Sequence, residues 1–79
     1  MTFIDNCKAL LKKAFPVSFD KFELKQTKEF ECYAEQWEYD DLRQEEVLRS
    51  QLRIRKTKDG YIQCEDMIYN DFVDSKKYE

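Results

Sequence analysis

The chain contains no histidine, one glycine and one proline among its 79 residues. Without histidine it lacks the side chain that titrates near neutral pH and the commonest nitrogen ligand of catalytic metals. A single glycine excludes a glycine-rich phosphate loop. Long apolar runs are missing too: the longest uncharged stretch is Ala14–Phe19, far short of the ~20 residues of a membrane-spanning helix. The first residues do not form a secretory leader, because Asp5 and Lys8 interrupt the apolar stretch and no small-residue cleavage site follows. These absences set the expectation of a cytoplasmic protein without a membrane segment. Cys7, Cys32 and Cys64 are an odd number and close no disulfide framework, so in a reducing compartment they read as free thiols.

Aromatic residues and charge are abundant. One Trp, five Tyr and six Phe make 15% of a chain that is 39% charged, a load that points to a folded domain rather than a disordered one. The length allows one domain, residues 1–79, which buries only about 60–65% of its unfolded surface and has little room for a deep cleft. The formal charge of −3 hides a block structure. Residues 1–28 carry six Lys against Asp5, Asp20 and Glu23, giving +3. Residues 29–46 carry eight acids against Arg43, giving −7. Residues 47–58 hold five bases and no acid, and residues 59–79 hold six acids and two Lys.

Apolar spacing divides the chain. Phe3, Cys7, Leu10 and Ala14, extended by Ile4, Leu11 and Phe15, form a helical stripe over Thr2–Phe15. Thr2 is the expected N-cap, Asp5 suits the positive end of the helix, Lys12 and Lys13 suit its last turn, and Pro16 stops it. The period then becomes two. Phe22 and Leu24, followed by Phe30, Cys32 and Ala34, predict a hairpin turning at 26–28 that pairs Leu24 with Phe30 and Phe22 with Cys32. Lys58-Asp59-Gly60 predicts a second turn, pairing Ile54 with Cys64 inward, and Arg53 with Glu65 and Arg55 with Gln63 outward. With 40–45 as a loop, strand 29–39 aligns antiparallel with 47–57. That register places Cys32 against Ile54 and Ala34 against Leu52 on one face. On the other face Glu31 meets Arg55, Tyr33 meets Arg53 and Trp37 meets Arg49. Residues 65–75 fit either a continued strand or a short closing helix, and 75–79 read as frayed. The expected fold is α+β: an N-terminal helix packed on a four-stranded antiparallel meander.

Little in this pattern suits catalysis. The three Cys fall on inward faces and read as small core hydrophobes rather than zinc ligands, since no Cys-x-x-Cys pair or His accompanies them. The carboxylates alternate with core positions and so face solvent, whereas a catalytic acid needs a desolvated cleft. Asp40-Asp41 and Glu45-Glu46 lack the glycine and the ligand spacing of a calcium loop, and no serine has a His partner. Neither an enzymatic role nor a cofactor is expected.

Two features suit recognition. The outward sheet face presents Tyr33, Trp37, Tyr39, Arg49, Arg53, Arg55 and Tyr61, residue types enriched at protein interfaces. The turn between the central strands gathers Glu35, Glu38, Asp40, Asp41, Glu45 and Glu46, a patch of one sign that steers association with a basic surface. The expected partner is a basic protein surface, such as that of a nucleic-acid-handling protein. The expected role is a stoichiometric inhibitor or nucleic-acid mimic; by analogy, phage-type inhibitors of host defence are of this kind. Two alternatives stand beside it. One is a single-stranded nucleic-acid binder using Tyr33, Trp37, Arg49 and Arg53. The other is a homodimer that buries a sheet edge or the aromatic face.

Overall fold

The computed structural model describes all residues, Met1–Glu79. Helix α1 spans Phe3–Ala14. Thr2 Oγ1 accepts from the Asp5 amide and Asp5 Oδ2 accepts from the Thr2 amide, each at 3.1 Å, forming a capping box. A single 3₁₀ turn, Phe19–Lys21, leads into five antiparallel strands: β1 Glu23–Lys28, β2 Glu31–Asp40, β3 Glu45–Lys56, β4 Tyr61–Asp66 and β5 Asp71–Lys77. They form one sheet in sequence order. The architecture is α+β as expected, with one strand more than the four anticipated.

The core lies between α1 and one sheet face. Phe3, Cys7, Leu10 and Leu11 of the helix meet Cys32, Ala34, Leu52, Ile54, Ile62 and Cys64 of the sheet. Registers that rest on both faces at once are as the sequence predicts. Cys32 pairs with Ile54, Ala34 with Leu52, Tyr33 with Arg53 and Glu31 with Arg55. Ile54 likewise pairs with Cys64 and Arg53 with Glu65, across a turn where Gly60 takes φ +86°.

Three expectations are corrected. The first hairpin turns at Glu29-Phe30, and Leu24 pairs with Ala34 and Gln26 with Cys32. Alternation fixes which face a residue shares, and this four-residue slip keeps Leu24 inward in either register. Phe30 leaves the ladder for an aromatic cluster: its ring sits 5.9 Å from Phe3 and 6.3 Å from Tyr78, with the Lys56 ammonium 4.6 Å above it. Second, Trp37 faces Leu48 rather than Arg49, because the register shifts after Gln36–Ser50 and Arg49 becomes the extra residue of a bulge in β3. Third, residues 71–77 form the edge strand β5 and neither a helix nor a frayed tail.

The turn into β5 is built like the β2–β3 turn. Asp66 Oδ1 accepts from the Ile68 and Tyr69 amides at 2.9 and 3.1 Å, and Asn70 closes the turn at φ 57°. Asp40 Oδ1 accepts from the Leu42 and Arg43 amides at 2.9 and 3.3 Å, and Gln44 closes at φ 54°. The C-terminal residues are pinned. The Tyr78 amide donates to the Gly60 carbonyl at 2.8 Å. Asn6, fully buried, donates to the Thr2 and Glu79 carbonyls and accepts from the Glu79 amide.

Candidate protein-docking arm

Strands β2 and β3 outrun their neighbours. β1 pairs with β2 only as far as Glu35, and β4 pairs with β3 only as far as Leu52. Residues 36–51 therefore form a two-stranded arm beyond the body, in a molecule 45 Å long and only 22 by 21 Å across. The arm closes in the turn Asp41–Gln44, whose tip residue Leu42 is 97% exposed.

Charge is distributed unevenly between arm and body. The arm holds Glu38, Asp40, Asp41, Glu45 and Glu46 against Arg43 and Arg49, a net −3. Removing those five acids and two bases from the chain's 17 and 14 leaves 12 of each, so the body is formally neutral. Apolar groups share the arm: Trp37 and Tyr39 are 45% and 57% exposed, and Val47 and Leu48 are half-buried.

The root of the arm is rigidly built. Glu35 is 8% exposed, and its carboxylate accepts from Gln51 Nε2 at 2.9 Å and Trp37 Nε1 at 3.3 Å, with Lys25 Nζ at 3.1 Å. The Gln51 hydrogen bond leads the interactions that hold this carboxyl below the usual carboxylate range, against the opposing effect of burial. Lys25 Nζ also lies 6.0 Å from the Trp37 ring centroid, so the indole is oriented by two neighbours while half its surface stays open.

Of the residues singled out in the sequence, Trp37, Glu38, Tyr39, Asp40, Asp41, Glu45, Glu46 and Arg49 come together on the arm. Glu35 sits beneath it as an anchor. Tyr33 and Arg53 pair with each other on the outer sheet face of the body, both half-buried. The cations are engaged: Arg49 Nε is 2.8 Å from Glu38 Oε2, and Glu65 Oε1 lies 3.5 Å from Arg53 Nη2 and 2.9 Å from Arg55 Nη2. A phosphate backbone would have to displace those carboxylates. Sequence reasoning passed over Leu42, Val47 and Leu48. The signal for Leu42 is an isolated apolar residue between Asp41 and Arg43 at a turn tip.

Other features of the molecule have structural work. Cys7, Cys32 and Cys64 are buried free thiols; the hydrogen bond with Cys32, joined by burial, raises Cys7, and burial pushes Cys64 up to about 12, so both pack as neutral hydrophobes. No helix is long and apolar enough to cross a membrane. An apolar groove of about 320 Å³ lies between α1, the 3₁₀ turn and β1, lined by Leu11, Phe19, Phe22 and Leu24 with Lys8 and Asp20. Comparison with protein-family models, curated proteins and solved structures finds no match to this chain.

Proposed function

We infer that the chain is a stoichiometric protein-binding module that presents the arm to a basic surface on its partner and blocks that surface by occupying it. The observation that carries this reading is the coincidence of shape and charge: the whole formal −3 resides on a projecting two-stranded element on which Trp37, Tyr39 and Leu42 stay exposed. A two-stranded ribbon alone is marginal in water, and an anchored indole beside an exposed tyrosine suits an interface centre. The acids around them supply steering. The role requires no catalytic residue.

The test neutralises the arm without breaking its turn. Asp40 caps two amides, so the suitable variant is Glu38→Gln, Asp40→Asn, Asp41→Asn, Glu45→Gln and Glu46→Gln. It is expected to keep the wild-type circular dichroism and to associate with partners captured from a cell extract at least about tenfold more slowly at low salt. Unchanged association would overturn the reading. A labelled single-stranded oligonucleotide serves as the counter-probe, and salt-dependent binding of it to the wild type would favour the nucleic-acid alternative.

A further inference from the structure

The arm's two edges differ. In β3 the bulge at Arg49 interrupts the ladder, a common device for spoiling an edge. β2 carries no extra residue on this stretch, so its alternation runs unbroken from the body into the arm. The direction of its backbone groups is fixed by one bond: the Lys56 amide donates to the Phe30 carbonyl at 3.2 Å. Along an antiparallel strand these groups alternate from side to side. Even-numbered residues of β2 therefore address β3, and odd-numbered ones address the side of β1. Glu35 is the last residue that β1 covers, since the chain before Glu23 turns away into the 3₁₀ turn. Trp37 and Tyr39 consequently turn their N–H and C=O groups to an open edge, in line with β1, where another strand would fit.

We propose that this edge accepts an extended, basic segment of the partner protein as an additional strand, pairing with the backbone of Trp37 and Tyr39. The proposal rests on the docking reading above and names how the partner is held. Charge decides the occupant. Glu38 and Asp40 alternate with Trp37 and Tyr39 and take the face that Cys32 and Ala34 take in the body; Arg49 already meets Glu38, yet the arm as a whole stays at −3. A second copy of the chain pairing here would set those carboxylates against their own kind, which is destabilising. A segment alternating Lys or Arg with Val or Ile places its cations beside Glu38 and Asp40 and its apolar groups beside Trp37 and Tyr39. Backbone hydrogen bonds then hold the strand and the alternate side chains read it.

The probe is the peptide acetyl-Lys-Val-Lys-Val-Lys-Val-Lys-amide, titrated into the ¹⁵N-labelled full chain at low salt. Three comparison peptides accompany it: two with alternate amides N-methylated, in the two possible phases, and one with Glu in place of Lys. The expected result is slowed hydrogen exchange at the Trp37 and Tyr39 amides, with binding weakened at least about tenfold by one N-methyl phase and little by the other. The Glu peptide is expected not to bind. Tyr39→Pro removes the edge N–H at a position where an edge strand tolerates proline, and it is expected to weaken binding well beyond Tyr39→Ala. If the basic peptide binds in a salt-dependent way but neither N-methylation nor Tyr39→Pro matters, strand addition is wrong while the basic-surface reading stands. If no peptide protects the arm, or sedimentation shows that the arm edge is already closed by a second copy, the proposal is overturned.

Discussion

Individual residues in this chain divide the labour of a charged surface. Most of the carboxylates point to solvent, but Glu35 is enclosed and serves as the acceptor on which Gln51, Trp37 and Lys25 converge. Its folded-state carboxyl is held below the ordinary range, so its stabilisation is complete above the unfolded-state value and is lost as pH falls through the folded one. Asp5, held low chiefly by the Thr2 amide, acts in the same direction. Replacing Glu35 with Gln is therefore expected to flatten the acid limb of stability, measured as the denaturant midpoint between about pH 3 and 6. A variant whose acid limb matched the wild type would remove Glu35 from this role. Asn6 shows a different use of a buried polar group, since each half of its amide meets the chain end. Arg53 is less well satisfied, because its buried Nε has no hydrogen-bond partner and only Nη2 approaches Glu65.

Among the elements, those whose faces carried different chemistry were legible in the sequence. The capped helix is one, and the β2–β3 and β3–β4 registers are two more, because a slip would have scrambled apolar pairs inside and charged pairs outside together. The first hairpin was legible but its register was not, since a slip of four residues preserves its facing and the aromatic cluster that claims Phe30 is formed with Phe3 and Tyr78 from distant parts of the chain. The bulge at Arg49 has no composition signal at all. β5 did have one: Asp66 with Asn70 repeats the spacing of Asp40 with Gln44, and both turns use it identically. As for the candidate site, the acidic cluster was visible as a run of charge, but its projection beyond the body depends on where β1 and β4 stop. The arm is flanked by no third strand, so its amides are expected to exchange at least about tenfold faster than those of Leu52 and Ile54, read by hydrogen exchange on the free protein. Equal protection along β3 would show that the arm is held as firmly as the body.

At the scale of the whole molecule, a neutral body with a ten-residue core supports a charged projection. The body is closed by Asn6, which joins the first helical turn to residue 79 across the aromatic cluster. Asn6→Ala is expected to cost about 2 kcal/mol, since it removes a fully buried amide together with its three hydrogen bonds to Thr2 and Glu79. The melting temperature should then fall by roughly 8–16 °C for a domain of this size; a shift of a degree or two would mean that the end is held by Tyr78 alone. The meander order carries a further consequence, in time rather than in space. Every strand pairs with the one before it, so four hairpins form from local segments, and it is chiefly the docking of α1 on the sheet, with β4 and β5 the farthest away in sequence, that brings distant parts of the chain together. Chains of this topology fold at rates set by such long-range closures. Substitutions in α1 or β5 should therefore slow folding, while those in the arm should leave both limbs of the chevron in place, and the arm can change in sequence without altering how quickly the body reaches the folded state.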